Sequence, residues 1–198
     1  MRSVNLFVAA LMMVGFVANF AKADVKVGDM APSFTLEDQN GKTHSLSDYA
    51  GKVVVLEWFN DECPYVQKHY KEGHMNALAK QYEGKEVVWL AVNSSNFTAN
   101  DKNKSIAEKW SIDRPILNDA SGATGKAYGA KTTPDMFVIG TDGKVLYKGA
   151  IDNNSDSETS SIASAENHVA KALDEVLADK PVTKAETKPY GCSVKYAK

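Results

Sequence analysis

The sequence predicts an α/β fold in which helices cover both faces of a mixed central β-sheet. Short apolar runs typical of buried strands alternate along the chain with longer segments whose apolar residues recur at helical spacing. The alternation ends in two strands joined by the turn Thr141-Asp142-Gly143, which is typical of an antiparallel hairpin. Strand–helix alternation that closes with a hairpin indicates a sheet of mixed direction.

The predicted elements follow one another in the order that this class requires. An N-terminal β-hairpin is expected over residues 34–46, where Asn40-Gly41 interrupts an apolar alternation, and a helical turn follows at 47–50. The strand at 53–59 is apolar on both faces, as in a sheet covered on both sides. A helix is predicted over residues 64–82, since proline favours the first helical position. The later elements are a strand at 86–93, a helix at 102–110, a strand near 115–117, a helix at 122–128, strands at 135–140 and 144–149, and a helix at 163–177.

We predict that residues 1–23 form a signal peptide. Arg2 supplies a basic start, an apolar stretch follows, and Ala21-Lys22-Ala23 has the small-x-small pattern of a signal-peptidase site. A membrane anchor is the alternative, although the apolar stretch is short for a bilayer span. Cleavage would leave an exported protein, periplasmic or secreted, without a stable span. Its formal net charge would fall from −2 to −4, because two positive charges are removed.

The mature chain is predicted to contain one domain, residues 24–180, and a C-terminal tail, residues 181–198. Arg114 is the only arginine after the signal segment and neither half of the chain is strongly basic, which argues against nucleic-acid binding. The sequence indicates no cofactor and leaves the oligomeric state open. The two cysteines, Cys63 and Cys192, allow a single internal pairing, and export would place them in oxidising surroundings.

Cys63 is the first predicted catalytic residue, because it lies where an apolar strand ends and a helix begins. The free N–H groups and the positive dipole end of a helix start favour the thiolate, which is the reactive form of cysteine. The adjacent Asp61 and Glu62 oppose thiolate formation. The alternative is a small buried side chain without chemistry, since free cysteines are commonly buried.

Glu57 and the Thr133-Pro134 pair are the other candidates near this cysteine. Glu57 interrupts the apolar strand, where burial would penalise its ionised form and make it a proton acceptor for Cys63. A strand-edge carboxylate that reaches water or a lysine is an equal alternative. Pro134 precedes a predicted strand, which is compatible with a cis bond in a tight turn or with an ordinary trans proline.

No metal site is predicted from the histidines. His69 and His74 are five residues apart on the predicted helix, which does not place them on one face. The chain also lacks the Cys-x-x-Cys and His-x-x-x-His spacings that typically hold zinc.

Taken together, these segments resemble the thioredoxin fold, and specifically the redoxin branch of alkyl hydroperoxide reductase/thiol-specific antioxidant proteins. The run from Leu56 to Cys63 is similar to the thioredoxin strand that leads to the first active-site cysteine. Thr133-Pro134 falls where that family has its cis-proline. A narrower resemblance, to a peroxiredoxin-like subgroup, is carried by the motifs Cys63-Pro64-Tyr65-Val66, Lys68-His69, Ala127-Tyr128-Gly129, Thr133-Pro134-Asp135 and the segment from Lys188 to Lys195.

The chain also departs from these patterns. Val66 stands where thioredoxins have their second cysteine, and Leu56 and Asn60 replace the proline and threonine that precede a peroxidatic cysteine. The resemblance therefore implies thiol chemistry without the groups that polarise a peroxide. If the turn-rich tail folds back, Cys192 replaces the missing second cysteine.

The leading hypothesis is an exported thiol–disulfide oxidoreductase with an antioxidant role, served by an external thiol reductant. Cys63 would attack, Cys192 would resolve, Glu57 would accept a proton, and Pro64, Thr133 and Pro134 would bind substrate. Two alternatives remain open. One is a weak one-cysteine thiol peroxidase, and the other is a non-catalytic binding module with a structural Cys63–Cys192 disulfide, which could bind a partner or Cu(I) through sulfur.

Overall fold

A computed structural model describes residues 24–197, so the predicted signal peptide lies outside the described residues. Nine strands and five α-helices are assigned within this range. The strands are β1 Thr35–Glu37, β2 Thr43–Ser45, β3 Val53–Trp58, β4 Val87–Asn93, β5 Ile116–Asn118, β6 Thr132–Thr133, β7 Met136–Ile139, β8 Val145–Gly149 and β9 Cys192–Ser193. The helices are α1 Pro64–Tyr70, α2 His74–Gln81, α3 Asn100–Trp110, α4 Ala123–Tyr128 and α5 His168–Leu177.

Seven strands form the central sheet in the order β2-β1-β5-β4-β3-β7-β8. Strands β3, β4 and β5 are parallel, whereas β7 and β8 and the β1–β2 hairpin pair antiparallel. The prediction of a mixed sheet with an N-terminal hairpin is therefore confirmed. The sheet is mixed because helices return the chain between β3, β4 and β5, while tight turns join the outer pairs.

The apolar core lies on both faces of β3, as its sequence predicted. Val53 and Val55 belong to a cluster with apolar residues of α1, α2, α3 and α5, whereas Val54, Leu56 and Trp58 belong to a second cluster with α4 and the N-terminal segment. Alternate side chains of a strand point to opposite faces, so each face of β3 enters a different cluster. The strand end that carries the loop to Cys63 is therefore held from both sides.

The predicted helix over residues 64–82 is wrong, because the structure contains two helices. Helix α1 ends at Tyr70, and α2 begins after Gly73, whose φ of 76° lies in the left-handed region. Glycine adopts that conformation readily, and the turn breaks the helical hydrogen bonding. The last predicted helix also begins later, at His168, because residues 159–164 form a separate 3-10 helix and Asn167 caps α5.

The small sheet formed by β6 and β9 was not predicted. Each strand has only two residues, so neither carries a period that sequence reasoning detects. Their antiparallel pairing brings the C-terminal tail back to the domain. Among residues 24–197, no helix has the length and apolar character needed to cross a bilayer.

Candidate active site

Cys63 occupies the N-cap of α1, directly after the loop that follows β3. Pro64 takes the first helical position, as predicted. The Cys63 Sγ donates a hydrogen bond to the carbonyl oxygen of Thr133 at 2.9 Å. The side chain is only 1% exposed. The thiol therefore sits at the expected junction but is sealed from solvent in this conformation.

Thr133 links the two cysteines. The peptide bond from Thr133 to Pro134 is cis. In the β6–β9 pairing Thr133 lies opposite Cys192, and Thr132 lies opposite Ser193. The Thr133 hydroxyl also donates to the carbonyl oxygen of Cys192 at 3.5 Å. Because the Thr133 carbonyl accepts the hydrogen bond from the Cys63 thiol, Thr133 contacts both cysteines. The tail thus brings Cys192 to Cys63 across about 130 positions of sequence.

The pKa values of the two cysteines are shifted in opposite directions. Burial raises the pKa of Cys63, but hydrogen bonds from the Thr133 side chain, from the Cys192 thiol and from nearby backbone N–H groups outweigh it and bring that pKa below its usual value. Burial, the hydrogen bond to Cys63 and the charge of the Cys63 thiolate all raise the pKa of Cys192. Both cysteines are free thiols in this structure. When the pair loses one proton, the negative charge therefore resides on Cys63.

Lys102 offsets the acidic residues beside Cys63. Its Nζ lies 3.0 Å from a Glu62 carboxylate oxygen and 3.6 Å from one of Asp61. These carboxylates oppose a neighbouring thiolate, and a paired ammonium reduces that effect. No local sequence pattern indicates this partner, because Lys102 lies on α3, far along the chain.

Glu57 is fully buried on β3, and its carboxylate is held by three side chains. Tyr70 donates to Oε1 at 2.7 Å and Trp89 donates to Oε2 at 3.1 Å. The Arg114 guanidinium lies 3.5 Å from Oε2 and donates to the Tyr70 hydroxyl at 2.7 Å. Within residues 24–197 no hydrogen bond joins Glu57 to Cys63. Glu57 thus belongs to a buried ion-pair network, and its predicted role as proton acceptor stays a prediction.

The histidines form no metal cluster. His69 is buried 3.8 Å from Asp152, and burial lowers the pKa of His69 to about 4, so its ring is neutral near pH 7. His74 is partly exposed beside Glu72. No group of three or more histidine, cysteine or acidic side chains suited to a metal occurs in the described part of the chain.

The tail carries functional candidates that sequence reasoning missed. Gly191 approaches the Thr133 carbonyl so closely that a Cβ at this position would lie 2.1 Å from the oxygen. Beyond the cysteine, the Lys195 carbonyl accepts from the Asn96 N–H at 2.8 Å, and the Tyr196 hydroxyl donates to the Ala130 carbonyl at 2.8 Å. The tail is therefore docked along its length, which its turn-rich composition indicated only in general terms.

Similarity to known proteins identifies the family of the chain. The model of the AhpC/TSA family matches residues 27–148, which include β3, Cys63 and Pro134. The chain belongs to the AhpC/TSA family. Its thioredoxin-like α/β fold and its membership of the redoxin branch, both expected from the sequence, are confirmed. The family match stops well before the tail, so it does not include Cys192.

Individual relatives agree with this assignment. The chain is 35% identical over 130 residues to the thiol-disulfide oxidoreductase ResA of Geobacillus thermodenitrificans, covering 65% of this chain and 72% of that protein. Peroxidoxin BcpB of Mycobacterium tuberculosis aligns with a TM-score of 0.57 at 26% identity, over 78% of this chain and 95% of the other. The hypothetical protein SMc02350 of Sinorhizobium meliloti 1021 aligns over 88% of this chain and 96% of its own, with a TM-score of 0.75 at 23% identity. This last likeness concerns the fold alone.

Proposed function

We propose that this protein is an exported thiol–disulfide oxidoreductase in which Cys63 and Cys192 alternate between a dithiol and a disulfide. The observation that carries the proposal is the pairing of β6 with β9, which sets Cys192 beside a cysteine that lacks a local partner. Similarity to ResA supports the reaction class, since ResA is a thiol-disulfide oxidoreductase. Export is proposed from the signal-like segment at residues 1–23.

The exchange proceeds in two sulfur-to-sulfur transfers. The Cys63 thiolate attacks one sulfur of a substrate disulfide, so that one substrate thiolate leaves and a mixed disulfide forms on Cys63. Cys192 then gives up its proton, and its thiolate attacks the Cys63 sulfur, which releases the second substrate thiol. The product is a Cys63–Cys192 disulfide, and two electrons have passed to the substrate. An external thiol reductant returns the pair to the dithiol.

The stabilised Cys63 thiolate suits the attacking role. Despite burial, hydrogen bonds from Thr133, Cys192 and Val66 lower its pKa, which favours the thiolate in the docked state. The raised pKa of Cys192 keeps that residue protonated, so it does not compete as nucleophile before the mixed disulfide forms. The tail occupies the pairing edge of Thr133, so a substrate contacts this residue only when the tail moves. The substrate-binding roles of Pro64, Thr133 and Pro134 stay predictions.

Exchange with glutathione disulfide in single-cysteine variants tests the proposal. Cys63→Ser is expected to abolish the exchange, whereas Cys192→Ser is expected to stop at a stable glutathione adduct on Cys63. Sustained exchange by the Cys63→Ser variant would contradict the assignment. A wild-type disulfide that excess dithiothreitol fails to reduce, with no turnover, would instead indicate the binding module. Sulfenic acid formation on Cys63 that outpaces disulfide exchange would indicate the peroxidase.

A further inference from the structure

Tyr190, two residues before Cys192, is held to the domain through both its hydroxyl and its ring. Its hydroxyl donates to Oδ1 of Asp152 at 2.6 Å, and Asp152 is only 2% exposed. The Tyr190 ring packs edge-on against Tyr65 of α1 with centroids 5.9 Å apart. The ammonium of Lys68 lies 5.2 Å from the same ring. A hydrogen bond to a buried carboxylate is among the stronger single contacts that a side chain makes.

Contacts outside the tail also hold the site that receives Tyr190. Lys68 is 1% exposed, and its Nζ donates to the carbonyl oxygens of Asn154 and Asp156, both at 2.9 Å. The Asn154 N–H in turn donates to Oδ1 of Asp152 at 2.9 Å. A buried lysine therefore holds the loop that carries Asp152 through contacts that do not involve the tail. Burial and Asp152 raise the pKa of Tyr190, so its hydroxyl remains a donor throughout the pH range in which proteins fold.

The tail that Tyr190 anchors also seals the reactive thiol. Cys63 belongs to the buried cluster on the α1 side of the sheet, and Tyr190 and Cys192 are among the partly buried residues packed against that cluster. Gly191 between them lies against the Thr133 carbonyl. Tyr190 therefore holds the tail on the side before Cys192, while the β6–β9 pairing holds it at Cys192, and loss of the Tyr190 contact weakens the cover over Cys63.

We propose that Tyr190 is a positioning residue for thiol exchange: its bond to Asp152 holds Cys192 against Cys63 and closes the route to Cys63. The inference rests on the proposed pairing of the two cysteines. A substrate disulfide reaches Cys63 when the tail lifts at Tyr190, and renewed docking brings Cys192 to the mixed disulfide. Tyr190 thus acts through Cys192 and does not itself contact the reacting atoms.

Alkylation of the reduced protein by iodoacetamide, followed by mass mapping of each cysteine, tests this role. Tyr190→Phe keeps the ring but removes the hydroxyl, and Asp152 retains its bond from Asn154. If Cys63 reacts only in the lifted state, its alkylation rate is proportional to the lifted population. Loss of one hydrogen bond to a buried carboxylate then increases that rate about tenfold or more. The Tyr190→Phe variant is also expected to accumulate the Cys63–glutathione adduct, because Cys192 returns to it less often.

Tyr82→Phe is the matched control. Tyr82 donates to the Asp174 carboxylate at 2.9 Å and to the Ala170 carbonyl at 3.0 Å, and both partners lie on α5 and not in the tail. A tail-specific role predicts no change in the Cys63 alkylation rate of this variant under conditions where both variants remain folded by circular dichroism. Equal increases in the two variants would show that Cys63 reacts through general loosening and would overturn the inference.

A second variant keeps the test decisive if Tyr190→Phe fails to fold. Asp152→Asn leaves a neutral acceptor for the Tyr190 hydroxyl, and it is expected to raise the Cys63 alkylation rate by a smaller factor in the same direction. Wild-type alkylation rates in both Tyr190→Phe and Asp152→Asn would overturn the positioning role alone. Failure of the wild-type protein to form an internal disulfide with glutathione disulfide would overturn the proposed function and the inference that rests on it.

Discussion

Substitution of Gly191 by alanine tests the tail geometry most severely. Gly191 has a φ of 129°, and an alanine Cβ would lie 2.1 Å from the Thr133 carbonyl oxygen, 1.3 Å short of the 3.4 Å at which ordinary contact begins. The atom that must give way is backbone, so the tail has to retreat from β6. Forced contacts of this kind typically cost about 1–3 kcal/mol. The unfavourable φ adds about 1–2 kcal/mol. We expect at least about 2 kcal/mol in total.

The Gly191→Ala substitution is expected to destabilise the disulfide form more than the dithiol form. In the dithiol the tail can withdraw and relieve the contact, whereas a Cys63–Cys192 bond holds it in place. A penalty of about 2 kcal/mol lowers the equilibrium constant for disulfide formation about 30-fold. The constant is measured by equilibrating the protein in mixtures of reduced and oxidised dithiothreitol and counting free thiols by mass.

Gly28→Ala provides the control for this experiment. Gly28 also has a positive φ, 91°, but no atom lies within 4 Å of the position that a Cβ would take. This variant carries the conformational penalty in both redox states and is expected to keep the wild-type disulfide constant within about twofold. If the equilibrium constant for disulfide formation in Gly191→Ala equals that of wild type, the close approach of the tail to Thr133 is refuted.

Three further predictions concern the buried ionisable groups. Glu57→Gln leaves Arg114 without its carboxylate, so the free energy of unfolding measured in urea should fall by about 3–5 kcal/mol; a change below 1 kcal/mol would contradict the buried ion pair. Burial raises the pKa of Asp135 to about 7, so the folded state binds more protons than the unfolded state between pH 4 and 7, and stability falls as the pH rises through that window. The free energy of unfolding of Asp135→Asn, relative to that of wild type, should therefore rise by about 2–3 kcal/mol from pH 5 to pH 8. If this difference between variant and wild type does not change with pH, the carboxyl is not protonated in the folded state. The pKa of His69 is lowered to about 4, so its effect on stability runs in the opposite direction, and stability falls as the pH drops from 6.5 to 4. His69→Asn should remove about 3 kcal/mol of that loss. If the pH dependence of the unfolding free energy is unchanged in this variant, the acid sensitivity arises from another group.

The central strand and its cysteine could be predicted because their signals are local. The apolar run before Asn60 is long enough to identify β3, and Cys63 followed by proline marks the start of α1. The N-terminal hairpin could be predicted for the same reason, because Asn40-Gly41 is a strong turn signal.

The rest of the site depends on contacts between distant segments. The sequence supports two interpretations of Glu57, buried or at a strand edge, and its partner Arg114 comes 57 positions later, so no local pattern joins them. The pairing of β9 with β6 involves two residues on each strand. The requirement for glycine at position 191 arises only from the proximity of Thr133. Contacts between segments that are distant in sequence create these features, and no local pattern in the sequence indicates them.

Peptide mapping of the oxidised protein tests the central claim most directly. The protein is treated with a small excess of glutathione disulfide, quenched with acid and digested without reductant. The account predicts one cross-linked peptide that joins Cys63 to Cys192 and an intact mass lower by the two hydrogens of the lost thiols. Glutathione retained on Cys63 while Cys192 remains a free thiol would contradict it.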